Sequence, residues 1–137
     1  MSLKYVVISD GELVIERWAG EIAHAELVSH ERRKLQDESI APGARVLTDA
    51  RAATLPETTL DRVDEIAEVY GDSGNKTRIS ASAAIFGSAD FEKGKAWEAE
   101  VRKHGVNAIV FNNLEVACIW LGIDLKETQE RLDVMDG

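Results

Sequence analysis

The chain has 137 residues, 45 % of them hydrophobic and 30 % charged, with a formal net charge of -9. That is one domain's length, with enough apolar material for a substantial core. The acidic balance argues against a nucleic-acid face or an anionic-membrane surface, which need concentrated basic charge, and the single cysteine excludes an internal disulfide.

The opening Met-Ser-Leu-Lys-Tyr-Val-Val-Ile has no long apolar run with a small-residue cleavage site, so no signal peptide is read. The longest apolar stretches fall far short of a membrane span. The expected location is cytoplasmic, without membrane insertion.

Tyr5-Val6-Val7-Ile8 and Leu13-Val14-Ile15 are β-rich runs around Ser9-Asp10-Gly11-Glu12. Asp-Gly between such runs predicts a hairpin. The second strand is expected to pass through Trp18 and end at Gly20. From Ala23 to about Asp37 the period turns helical, with His24, Leu27, Val28, Glu31 and Leu35 on one face. His24 and Glu31 lie about 10 Å apart along that axis, as polar rims of a partly buried helix. His30 is expected in solvent, and Arg32-Arg33-Lys34 on a solvated face. Ala41-Pro42-Gly43 breaks the helix.

Val46-Leu47-Thr48 reads as a short buried strand that stops at Asp49, followed by a polar loop. The next helix opens near Thr58, with Thr58 and Asp61 at cap-and-acid spacing. Its apolar stripe is Leu60, Val63, Ala67 and Tyr70, and Gly71 ends it. The stretch 71–78 is a polar, glycine-bearing connector rather than a phosphate loop, because it precedes a strand. Without a secretory signal, Asn75-Lys76-Thr77 is not read as a glycosylation site.

A strand with small side chains follows over Ile79 to Phe86. Ser88 is the expected cap of the third helix, whose inner face carries Phe91, Gly94, Trp97 and Val101. His104 and Gly105 close it. Val106 to Phe111 is the last strand, and Asn112 with Glu115 reads as a capping box. Leu114, Ala117, Cys118 and Leu121 form a core stripe. Val116, Ile119, Trp120 and Ile123 leave a second apolar face, a candidate self-association contact.

These elements predict an α/β fold. Its mixed, mostly parallel five-stranded sheet is built from an N-terminal hairpin plus successive βα units, with four main helices. Residues 1–122 are expected to form the domain, and 123–137 an acidic tail or short helix. Strand ends in such a sheet are where ligands or partners dock. Asp49, Arg51 and Thr54 are therefore the binding candidates. No His-x-x-x-His or cysteine cluster is present, and no catalytic residue, metal or cofactor is assigned.

The opening hairpin, the Trp18-Ala19-Gly20 exit, the Val46-Leu47-Thr48-Asp49 strand and the closing Phe111-Asn112-Asn113-Leu114-Glu115-Val116-Ala117-Cys118-Ile119-Trp120-Leu121 resemble the SpoIIAA-like, or STAS-like, group. The resemblance covers roughly residues 4 to 122 and is mostly to bacterial proteins. It implies a regulatory, protein-binding role of the kind played by anti-sigma-factor antagonists, which bind a kinase and are switched by phosphorylation. The family's Asp-Ser-Ser-Gly-like switch is absent. Leu55-Pro56-Glu57-Thr58-Thr59 stands in its place, which leaves Thr58 and Thr59 as phosphoacceptor candidates. The related lipid-carrier fold of the CRAL-TRIO type implies an alternative, carriage of a small lipid-like ligand.

Overall fold

The computed structural model describes residues 2–72 and 78–136. The Asn75-Lys76-Thr77 triplet and most of the glycine-bearing connector lie outside the described residues. Strand β1 (Ser2–Ile8) pairs antiparallel with β2 (Leu13–Glu21). The predicted hairpin turn forms a short helical turn over Ser9–Gly11, with Ser9, Asp10 and Gly11 all at positive φ. Gly11 is required there twice over. Its φ is +88°, and an added Cβ would stand 2.5 Å from the Ser39 carbonyl oxygen.

Helix α1 (His24–Leu35) then leads to β3 (Ala44–Thr54), α2 (Thr59–Gly71), β4 (Ile79–Ile85), α3 (Phe91–Arg102) and β5 (Asn107–Phe111). Helices α4 (Leu114–Leu121) and α5 (Leu125–Asp136) complete the chain. The sheet order is β1-β2-β3-β4-β5, and β2 to β5 are parallel. Successive right-handed crossovers place α1, α2 and α3 on one face. Helices α4 and α5 cover the other.

Side chains alternate between these faces along each strand. Val14, Trp18, Val46, Ala84 and Val110 point beneath α1–α3, where they meet Leu27, Val63, Ile66, Trp97 and Val101. Leu13, Ile15, Leu47, Ala83 and Ile85 face Leu114, Ala117, Cys118, Leu121, Leu132 and Met135. Each such aliphatic side chain stabilises the fold by about 1.5–3 kcal/mol relative to exposure. Burial also pushes the Cys118 thiol pKa up, which fits its reading as a small core residue. The acidic tail is the ordered helix α5, anchored by Leu132 and Met135. No helix among the described residues is long and apolar enough to cross a membrane.

The expected helix starts need correction. Thr58 makes no side-chain cap bond. Its backbone is already helical, because Thr59 N–H donates to the Pro56 carbonyl and begins the winding early. Ser88 does not cap α3. The turn from Gly87 to Asp90 intervenes, and Asp90 is the capping position. For α4 the capping residue is Asn113, not Asn112, and its side chain accepts from Val116 N–H at 3.0 Å. Leu60 is exposed, since Ile66 and Val69 turn the buried face of α2 away from it.

Candidate functional site

Asp49 does not end its strand. β3 continues five residues further and stays paired with β2 to the Thr54–Glu21 register, whereas its pairing with β4 stops at Asp49–Ile85. The two strands thus leave the sheet as a ribbon. The continuation was hidden because Asp49-Ala-Arg-Ala-Ala-Thr lacks the apolar alternation of a strand. Neighbouring guanidinium groups hold it instead. Asp49 is fully buried on the α4–α5 side, where Arg17 donates to Oδ2 at 2.6 Å. Arg51 grips both oxygens at 2.9 Å, and its own N–H donates to Oδ1. Burial alone would raise the Asp49 pKa, but Arg51 and Arg17 hold it below the usual carboxylate range. Asp49 therefore positions the arginines, and only Arg51, 44 % exposed, presents charge outward. Arg17 is tied further to Asp136 of α5 at 3.0 Å.

Beyond the ribbon, exposed Thr54 lines an open groove of about 440 Å³ with Glu21, Glu26 and Pro56. The segment after it is short and pinned. Buried Lys93 donates to the Leu55 carbonyl at 3.2 Å and to Asp90 at 2.8 Å, and Asp90 accepts from Leu55 N–H. The two threonine candidates separate here. Thr59 is buried. Thr58 is exposed and its hydroxyl is not used by the helix.

The sheet also carries a cluster of buried polar groups beneath α1, where polar rims on a partly buried helix were expected. Glu16, in phase with Val14 and Trp18 on β2, is fully buried. It accepts from Lys34 at 3.1 Å, from Thr48 at 2.7 Å and from His30 Nε2. Lys34 also pairs with Glu31 at 2.6 Å, and the Tyr70 hydroxyl donates to Glu31 at 3.1 Å. His30 and Lys34 are thus buried, not solvated, and Glu31 is no rim. Burial would push the Glu16 carboxyl up, yet Lys34, His30 and Thr48 hold it well below the ordinary range. Burial opposes the Lys34 charge, and Glu16 with Glu31 overcomes it, so its pKa is raised. The signal was present in the sequence: Leu27, His30, Glu31, Lys34 and Leu35 fall on one helical face, opposite an acid in register with two apolar β2 residues.

On the far side, α4 keeps Leu114, Ala117, Cys118 and Leu121 in the core. Its outer face leaves Val116 49 % and Ile119 70 % exposed. Trp120 is half-buried and tilts against Phe111, and Ile123 packs on the same cluster. The four residues named from sequence therefore split into two exposed and two partly covered. Among the described residues, no group of three or more His, Cys, Asp or Glu is placed to hold a metal ion. The enclosed space between Trp18, Leu55, Phe86 and Trp97 is about 10 Å³, room for about one water.

No protein-family model and no curated protein matches this chain. A solved structure does. An uncharacterised protein of the DUF3478 family from Shewanella loihica PV-4, described as having a SpoIIAA-like fold, aligns with a TM-score of 0.54 at 12 % identity over 88 % of this chain and 92 % of that one. This chain has a SpoIIAA-like fold. The anti-sigma factor antagonist SpoIIAA in its unphosphorylated form also aligns, with a TM-score of 0.43 at 14 % identity over 89 % of this chain and all of that one. The expected architecture of the SpoIIAA-like fold, a hairpin followed by parallel βα units, is the one observed, with α5 as a fifth helix.

Proposed function

We infer that this chain is a non-enzymatic protein-binding module that docks through the outer face of α4. The observation that supports the reading is the pair Val116 and Ile119. They lie three residues apart and project into solvent from a helix whose opposite face is locked in the core. Large apolar side chains held outward on a rigid element are the material of a protein contact. Trp120 and Ile123 extend the patch at its base. Arg51 and Thr54 at the ribbon tip, and Thr58 beyond it, are the polar positions through which such a module would be selective or modified.

A photo-crosslinking residue at Ile119 tests the reading in the native cell. The expected result is one defined product, either a heterologous protein or a second copy of this chain, that disappears in a Val116→Asp background. A crosslinker at exposed Lys126 serves as control. Equal, diffuse labelling at both positions would overturn the reading.

A further inference from the structure

The groove between α1 and α2 lies on the opposite side of the sheet from α4, so it stands independently of the protein-binding reading. It is an open groove of about 410 Å³, lined by Arg32 and Arg33 from α1, Arg62 and Glu65 from α2, and His24 with Gln36 at its sides. Arg32 and Arg62 bring two guanidinium groups to one carboxylate there, in a chain whose net charge is -9, while the Arg33 guanidinium turns towards His30 on the β1 side of α1. Arg32 has no hydrogen bond or ion pair among the described residues, and Arg33 has only a 3.4 Å approach to His30 Nδ1. The His24 side chain is 8 % exposed, and both ring nitrogens are buried without a hydrogen-bond partner.

Glu65 shows where a negative group sits in this groove. Its carboxylate takes two bonds from Arg62, at 2.9 and 3.2 Å, and stands 3.6 Å from His24 Nε2. Arg62 and Glu65 are each about half exposed, and such a surface pair is worth only about 0–1 kcal/mol. A more highly charged oxyanion can displace it. The flat guanidinium fork makes paired bonds to phosphate oxygens, and the volume fits a small ligand rather than a polymer. We propose that the α1–α2 groove binds a small phosphate-bearing anion, gripped by Arg32 and Arg62, with Glu65 as the internal carboxylate it displaces.

Titration of the full chain with inorganic pyrophosphate, followed by calorimetry and amide chemical shifts, tests this. Saturable binding is expected, with shifts confined to α1 and the first turns of α2. Arg32→Ala and Arg62→Ala should each weaken it at least about tenfold, and Lys126→Ala on α5 should leave it unchanged. Glu65→Gln should tighten it about three- to tenfold, because the competing carboxylate is gone. A purely structural role for Glu65 does not yield that gain. Arg32 is exposed and has no partner among the described residues, so its variant should fold normally by circular dichroism. Unsaturable binding, an Arg32→Ala affinity equal to the parent's, or weakening by Glu65→Gln would overturn the proposal. Flotation with phosphatidylcholine vesicles, with and without phosphatidic acid, separates the sources. Arg32-dependent flotation assigns the phosphate to a lipid headgroup. Pyrophosphate binding without flotation assigns it to a soluble ester.

Discussion

Replacing Lys34 by Met removes the one ammonium that stands between two buried carboxylates. Lys34 bonds Glu16 at 3.1 Å and Glu31 at 2.6 Å, and all three side chains are essentially sealed from solvent. Met fills a similar volume, so the perturbation is electrostatic rather than a cavity. Thr48 and His30 remain on Glu16, and Tyr70 on Glu31. Stranding one partner of a buried pair costs about 3–5 kcal/mol, a large share of the roughly 5–15 kcal/mol that holds a domain together. Urea denaturation of Lys34→Met should therefore show an unfolding free energy lowered by that amount, with a correspondingly lower midpoint. Combining it with Glu16→Gln should return about 1–3 kcal/mol through coupling. The pH dependence carries a second sign. Native Glu16 is held below its unfolded value, so its contribution is complete above about pH 5 and is lost only at strongly acid pH. Lys34 is held above its unfolded value, so its contribution persists up to about pH 10 and is lost as the pH rises through the folded value. The combined contribution of these two groups should be level between those limits. In Lys34→Met, burial drives Glu16 upward, and the penalty should shrink as pH falls from 7 towards 5. A variant within about 1 kcal/mol of the native chain, with the native pH profile, would refute the argument.

The same geometry predicts other outcomes. Asn113→Ala should cost about 1 kcal/mol in denaturant titration, whereas Thr58→Ala should cost less than about 0.5, since only Asn113 caps its helix. Gly94→Ala should destabilise by about 1–3 kcal/mol, because the new Cβ would lie 2.6 Å from the Phe86 ring, seen as a lower thermal midpoint. Neither phenol should ionise in the usual range on ultraviolet titration. Burial and Asp37 push Tyr5 up to about 12, and burial with Glu31 raises Tyr70 well above normal. Mass spectrometry of the native protein should place any phosphate in the β3–α2 segment on Thr58, as Thr59 is buried.

Much of the fold was legible because it is written in local signals. Asp10-Gly11 specified the hairpin, Gly71 and Gly105 marked helix ends, and the Leu114-Ala117-Cys118-Leu121 stripe identified the buried side of α4. The candidate site was less legible. A polar run normally reads as a loop, so the Asp49–Thr54 half of β3 was hidden: the group that steadies it, Arg17, is far away in sequence yet adjacent in register. His30 and Lys34 read as surface residues because charge usually seeks water, and no local signal singled out Glu16. Their mutual satisfaction exists only once β2, β3 and α1 are assembled. The arginines of the α1–α2 groove converge only after the crossover brings the two helices together.

Glu16 and Arg17 are neighbours of opposite charge on opposite faces of β2, each matched by its own counter-ions. Shifting β2 by a single position would turn Arg17 towards Lys34 and Glu16 towards Asp49. Like charges would then meet on both faces of the sheet simultaneously, one of them fully sealed. The strand's alignment with β3 is consequently checked on both sides of the sheet by ions, where greasy contacts alone would tolerate the slip more readily.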